Sequence, residues 1–275
     1  MVVLEELSPV GVGMYPMSVD SEEHFAALKT AITSGYNLLD TATNYSNGKS
    51  EELIGRFIKA YPEHKKQLFI ISKVGYIPSR SLQKKAFSTF LTEHVSEIAV
   101  IEDDFEYPLD PNFISYQLDN TLERLNRDYL DVYLLHNPER YLQSQNLNSP
   151  VTLYEAVKLA FEKLEEKVNE GKIRYYGVSS NLIFDPTKEG SIDCRQLLEI
   201  AKSIKEDHHF KFLQFPFNFK EKMALQPNYG EESLLEFTKN NGLIRIANRP
   251  LNMNQDGFEF CLVTHEEALK ELDVV

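Results

Sequence analysis

Two periodicities alternate along this chain, and the alternation limits its possible folds more than any other feature. Short runs rich in β-branched and aromatic residues recur near 10–15, 36–42, 68–74, 130–136, 174–180, 212–218 and 243–249. Between them, over 20–34, 49–60, 112–126, 152–170, 193–206 and 231–241, apolar residues repeat every three to four positions. A strand followed by a helix, many times over, predicts βα units around a parallel sheet. Asp20 and Asp193 stand where helix N-caps belong, and Gly171 and Gly242 where a helix end calls for a left-handed residue. Seven strands and six intervening helices, with no nucleotide-binding glycine turn, favour an α/β fold of the (β/α)8 TIM-barrel type over a doubly wound sheet.

Two irregularities interrupt the repeat. Residues 76–111 stretch the connection after the third strand far beyond the usual few residues, and are expected to hold a helix of their own at the barrel's active face. After LIRIANRPL, the segment NMNQDGFEFCLVTHEEALKELDVV is too short for a normal helix, strand and final helix. Either FEFCLV serves as a shortened eighth strand, or the eighth unit is incomplete and the natural chain continues past residue 275. Residues 1–275 are read as one barrel carrying this long insertion.

Composition removes several classes of function. With 29 Lys and Arg against 42 Asp and Glu, the net charge is −13, and no basic stripe is available to follow a phosphate backbone, so no nucleic-acid partner is expected. No apolar run of spanning length occurs, and Glu5 and Glu6 stand where a signal peptide would be basic, so neither a membrane partner nor secretion is expected. Cys194 and Cys261 lack CxxC spacing and are too few for a disulfide framework, which suggests a reducing, cytoplasmic setting. The sequence is silent on oligomeric state.

The chemistry sits at the strand ends. Asp40 closes the second strand, Lys73 the third and His136 the fourth, while Tyr45 lies in the loop just past Asp40. In a (β/α)8 barrel these ends converge on the catalytic mouth. Any one of the four has a plain alternative as a loop or cap residue; together they fit protonation of a carbonyl oxygen. A phenol is a poor acid at neutral pH, and a neighbouring ammonium lowers its pKa, a role open to Lys73. Asp40 would hold Lys73, and His136 would orient the carbonyl. None of these side chains supplies a hydride, so a reduction requires a cofactor.

The ordered segments GYNLLDTATNYSNGKSEELIG, IISKVG, LERLNRDYLDVYLLHNPE, VNEGKIRYYGVSSN and QFPFN, spread over about 10–251, resemble the aldo-keto reductase family. The resemblance implies NADP(H)-dependent reduction of a small aldehyde or ketone, with the family's acid, lysine, aspartate and histidine falling on Tyr45, Lys73, Asp40 and His136. It also implies carboxamide contacts from Ser179 or Ser180, Asn181 and Gln214. Where many members stack a tyrosine on the nicotinamide, this chain has Asn248; Arg249 beside it is either a phosphate contact or a rim salt-bridge partner. A second class therefore stays open: a non-catalytic or regulatory barrel with lost or weakened cofactor binding.

Other signals are weaker. GVGMYP at 11–16 lacks the third glycine of a dinucleotide fingerprint, and its glycines are expected to serve tight packing. HEEAL at 265–269 has Leu where a zinc motif needs His, so no metal site is expected. His208 and His209 read as a solvated turn, and Glu102, Asp103, Asp104 and Glu106 as a solvated loop face. Phe105 and Tyr107 are expected to cover the mouth, and Phe210, Phe212, Phe215, Phe217 and Phe219 to pack in the core.

Overall fold

The computed structural model describes residues 4–77, 85–95, 99–101, 105–143, 152–255 and 258–261. In chain order these form β1 (Val12–Gly13), α1 (Glu22–Thr33), β2 (Leu38–Asp40), α2 (Lys49–Ala60), β3 (Phe69–Val74), α3 (Lys85–His94), β4 (Ala99–Ile101) and β5 (Phe105–Tyr107). The second half adds α4 (Pro111–Leu125), β6 (Leu130–His136), α5 (Leu153–Asn169), β7 (Ile173–Ser179), α6 (Cys194–Ile204), β8 (Phe210–Pro216), α7 (Leu234–Asn240), β9 (Ile244–Asn248), β10 (Asn252–Gln255) and β11 (Phe258–Cys261). All seven strand segments and six helical segments expected from periodicity are present.

The main sheet runs β1-β2-β3-β6-β7-β8-β9, with every neighbouring pair parallel. It is strongly curled. Between β2 and β8 lie four strand spacings, about 19 Å if the sheet were flat, yet Gln214 Nε2 on β8 donates to Asp40 Oδ1 on β2 at 3.0 Å. The rings of Phe69 on β3 and Phe212 on β8 likewise meet at 6.0 Å between centroids.

Strand side chains alternate between two environments, as a period of two requires. The concave face carries Phe69, Ile71, Val132, Leu134 and Phe212, packed with Leu38, Ile244, Ile246 and, from the N-terminal turn, Leu4 and Leu7. On the convex face Ile70, Val74, Tyr133, Leu135, Tyr176, Val178 and Leu213 meet the helices in the larger core. Behind β3, the buried Glu51 of α2 accepts from Ser72 Oγ and from Arg124 Nε of α4, both at 2.6 Å, which ties two helices to the sheet through one carboxylate.

Two glycines mark close backbone approaches. A Cβ on Gly55 of α2 would lie 2.0 Å from the Arg124 carbonyl oxygen of α4, and one on Gly177 of β7 would lie 1.9 Å from that of Phe212 on β8. The neighbouring atoms are backbone, so an added methyl forces chains apart rather than turning a side chain. Gly177→Ala should therefore lower stability by about 3 kcal/mol, read as a shift of the urea midpoint, while Gly171→Ala, where nothing lies within 4 Å of the added carbon, should cost about 1 kcal/mol.

Several expectations are corrected. Ser21, not Asp20, caps α1, its Oγ accepting from His24 N–H at 3.2 Å, while Asp20 pairs with Lys49. Asp193 does cap α6, and Gly171 and Gly242 follow their helices with φ of +73° and +67°. FEFCLV is not a shortened eighth parallel strand: Phe258–Cys261 pairs antiparallel with Asn252–Gln255 in a separate two-stranded sheet. The insertion holds its expected helix, α3, and also the antiparallel pair β4 and β5.

Tyr107 lies beneath the mouth rather than over it, being fully buried with its hydroxyl donating to the His136 carbonyl at 2.7 Å. The side chains of Phe105 and Glu106, like residues 102–104 and 265–269, fall outside the described residues. His208 is buried rather than solvated, and His209 meets Glu165 through Nδ1 at 2.9 Å. Of the five phenylalanines, Phe219 departs from the core reading and is exposed. No helix among the described residues is long and apolar enough to cross a membrane.

Candidate active site

The site is the next inward-facing layer above the apolar one. Moving two residues toward the C-terminal end of each strand leads from Leu38 to Asp40, Ile71 to Lys73, Leu134 to His136, Gly177 to Ser179, Phe212 to Gln214 and Ile246 to Asn248. His136 stands opposite Ser179 and Ser179 opposite Gln214, while Asp40 pairs with Ile71, Lys73 with Leu134 and Gln214 with Ile246, so the polar layer steps by two residues at β2–β3, β3–β6 and β8–β9. Polar residue types at one pleat position thus become a polar floor beneath a cavity of about 930 Å³. That cavity is lined by Asp40, Tyr45, Tyr76, His136, Asn137, Ser179, Asn181, Gln214, Asn248 and Arg249, with Gly13 and Tyr15 at the β1 edge.

Lys73 is the centre of the charge network. Its ammonium donates to Asp40 Oδ1 at 2.8 Å, to the Thr41 carbonyl at 2.8 Å and to the Tyr45 hydroxyl at 3.2 Å, using all three donors. The side chain is fully buried, whereas Asp40 is one-fifth exposed. Burial alone pulls the Lys73 pKa down, but the charge and hydrogen bond of Asp40, together with Tyr45, outweigh it and leave the pKa raised. Lys73 is therefore a stable ammonium.

Tyr45 departs from the sequence expectation. Desolvation is the largest influence on its phenol and raises the pKa, Lys73 offsets only part of that, and the net shift is upward. At neutral pH the phenol is protonated beside a fixed positive charge, which stabilises the phenolate formed once the proton leaves. Lys73 also lies 4.7 Å from the Tyr45 ring centroid. The ring stands edge-on to His136 at 6.0 Å and to Tyr15 at 5.3 Å.

His136 is held neutral. Burial, then the nearby Lys73 charge, pushes its pKa well below the ordinary histidine value, and its Nδ1 is buried without a hydrogen-bond partner among the described residues. The unfolded chain binds a proton near pH 6.5 that the folded chain refuses. Stability is thus full above that pH and falls as the pH drops through it, by up to about 1.4 kcal/mol per pH unit from this one group. Urea unfolding at pH 7.5, 6 and 5 should show a shallower decline for His136→Gln; an unchanged decline would assign the acid sensitivity elsewhere.

The expected carboxamide residues are brought together except for one. Ser179 Oγ donates to Gln214 Oε1 at 2.8 Å, and Gln214 Nε2 continues the chain to Asp40. Asn181 reaches the cavity from the loop after β7. Ser180 does not line it; its Oγ accepts from Leu182 N–H at 3.1 Å. Asn248 lines the cavity with Oδ1 buried and unpartnered among the described residues. Arg249, at a left-handed φ of +54°, pairs with Glu221 at 2.9 Å while its Nε is buried without a partner among the described residues. It is thus both a rim salt-bridge partner and a wall of the cavity. Of the glycines in GVGMYP, Gly11 packs tightly on Leu38, but a Cβ on Gly13 would meet nothing within 4 Å.

Sequence reasoning missed Tyr76, Asn137 and Glu139. Asn137 follows β6 at φ +53°, a conformation asparagine tolerates better than most residues. Its Nδ2 donates to the Tyr76 hydroxyl at 3.0 Å and its Oδ1 accepts from Asn181 Nδ2 at 3.2 Å. Glu139 Oε1 accepts from Asn181 N–H at 3.0 Å, and burial raises the pKa of its carboxyl. The signal was present in LLHNPE, where polar residues follow directly on a strand end that already carries His136.

A curled parallel β/α sheet with a polar cavity at the C-terminal ends of its strands defines a protein of the β/α-barrel class. The chain belongs to the Aldo/keto reductase family, whose profile matches residues 9–254. It is 25% identical to the aldo-keto reductase YhdN of Bacillus subtilis over 247 residues, covering 88% of this chain and 57% of that protein. Among solved structures it is similar to the thermostable aldo-keto reductase Tm1743 in complex with the inhibitor epalrestat, at 29% identity and a TM-score of 0.54, covering 86% of this chain and 66% of that one. The fold is also shared with an aldo/keto reductase from Klebsiella pneumoniae in complex with NADP and acetate, at 22% identity and a TM-score of 0.56, covering 89% and 65% of the two chains. The chain spans about half the length of the curated relatives it matches.

Proposed function

We propose that this protein is an NADPH-dependent reductase of aldehydes or ketones in which Tyr45 is the proton donor. The carrying observation is the Lys73 ammonium, hydrogen-bonded at once to Asp40 and to the Tyr45 hydroxyl at the cavity floor. A barrel has no structural need for a buried lysine against a phenol at its mouth. A reduced nicotinamide, when bound, would supply the hydride to the carbonyl carbon and be left in its oxidised form. Tyr45 gives its proton to the carbonyl oxygen, the alcohol leaves, and the phenolate held by Lys73 regains a proton from solvent. His136, neutral and next to Tyr45, donates a hydrogen bond to the same oxygen and orients it.

The cavity residues suit the cofactor. Ser179, Asn181 and Gln214 offer donors and acceptors for a carboxamide, and the buried unpartnered atoms of Asn248 and Arg249 mark places for polar groups of a ligand. Arg249 would hold a phosphate, exchanging its bond to Glu221. The small open position at Gly13 leaves room for close approach. Asn248 cannot stack on a nicotinamide as an aromatic would, and this observation favours the second reading, a barrel with weakened cofactor binding and a regulatory role.

The test is NADPH oxidation followed at 340 nm with 4-nitrobenzaldehyde and a panel of small ketones. Turnover that requires both components supports the reductase. Absence of turnover across the panel, together with weak or no binding of NADPH, would favour the regulatory reading.

A further inference from the structure

His136 is flanked by two phenols, and only one of them belongs to the proton-transfer network. Tyr45 stands edge-on to the imidazole at 6.0 Å, and Tyr76 stands edge-on to it at 5.0 Å. Both line the cavity. The Tyr76 hydroxyl accepts the Asn137 Nδ2 hydrogen at 3.0 Å. In this arrangement the Asn137 Oδ1 accepts from Asn181 Nδ2, which leaves the Asn137 Nδ2 to face the phenol. With its oxygen engaged as acceptor, the phenol keeps its own O–H, for which no acceptor occurs among the described residues. The ring is pinned as well, since its other neighbour is the fully buried Tyr107 at 5.3 Å, itself fixed to the His136 carbonyl.

We propose that Tyr76, oriented by Asn137, is a specificity-determining donor that selects carbonyl compounds bearing a second oxygen, a hydroxy or oxo group, on the carbon adjoining the carbonyl. The inference rests on the carbonyl-reductase reading of the cavity and deepens it. Tyr45 and His136 take the carbonyl oxygen, and the Tyr76 O–H takes the neighbouring one. A substrate lacking that oxygen leaves a desolvated donor unpaired, which penalises it; this is how a polar pocket discriminates more strongly than an apolar one.

Binding is measured without NADPH, so that no turnover is needed, by ligand-observed saturation-transfer NMR with 3-hydroxybutan-2-one and butan-2-one. The wild-type protein should prefer the hydroxyketone by about fivefold, the size of one net hydrogen bond. Tyr76→Phe should bring the two ligands to within about twofold of each other. Asn137→Ala, which keeps the phenol but releases its orientation, should also reduce the preference and carries the same test if Tyr76→Phe does not fold. A wild-type preference below twofold, including no binding of either ligand, or a preference that the folded variant retains, overturns the proposal. A protein that shows the preference yet never oxidises NADPH would sink the reductase reading and leave this selectivity standing.

Discussion

Tyr45→Phe should lower kcat/KM for carbonyl reduction by about a thousandfold, within the range by which a positioned general acid accelerates proton transfer. The substitution removes one oxygen. Phe keeps the edge contacts to His136 and Tyr15, and Lys73 keeps its hydrogen bonds to Asp40 and the Thr41 carbonyl. Stability and NADPH affinity should therefore stay near the wild-type values, and the loss should appear in kcat. Turnover within tenfold of wild type would remove Tyr45 from the acid role. Because the folded-state pKa of this phenol is raised, the wild-type reduction rate should stay level through neutral pH and fall only in alkaline solution, above the ordinary tyrosine value of about 10.

Lys73→Met carries the second large effect, and it should differ in kind. The variant removes the charge that stabilises the Tyr45 phenolate and leaves Asp40 with Gln214 Nε2 as its one side-chain donor among the described residues. Breaking a buried pair by deleting one partner costs about 3–5 kcal/mol. Asp40 retains some contact with solvent, so about 2–3 kcal/mol is expected here, alongside a rate loss of at least a hundredfold. Both are measurable on one sample, by urea unfolding and by NADPH oxidation.

The sign with pH is fixed by the raised Lys73 pKa. Its stabilisation is fully present below the unfolded value of about 10.5 and is lost as pH rises through the folded value. Wild type and Lys73→Met should therefore converge in stability at strongly alkaline pH. A constant difference across that range would place the stabilisation in packing of the lysine stem rather than in its charge.

Much of this fold was legible because a parallel sheet writes itself plainly. Its strands are buried on both faces and read as apolar runs, and the inward position after each apolar one carries the residue that matters: Asp40 after Leu38, Lys73 after Ile71, His136 after Leu134. The direction of the Tyr45 shift was not legible, since it depends on how far burial of the phenol outweighs a charge 3.2 Å away. Asn137 escaped because its role comes from a left-handed backbone that turns its amide between Tyr76 and Asn181, and no periodicity announces such a turn. FEFCLV alternates no differently from a core strand; its antiparallel partner, Asn252–Gln255, is polar at three of four positions and gave no strand signal.

The central claim is that a hydride donor binds in the cavity that Tyr45 and Lys73 floor. Titrating the 275-residue protein with NADPH, following the cofactor's fluorescence, with NADH in parallel, tests it most directly. Saturable binding in the micromolar range, weakened at least tenfold by Gln214→Leu, is the result the account predicts. A titration that never saturates with either cofactor would contradict it, leaving the Lys73–Tyr45 pair without a hydride to complete the reduction.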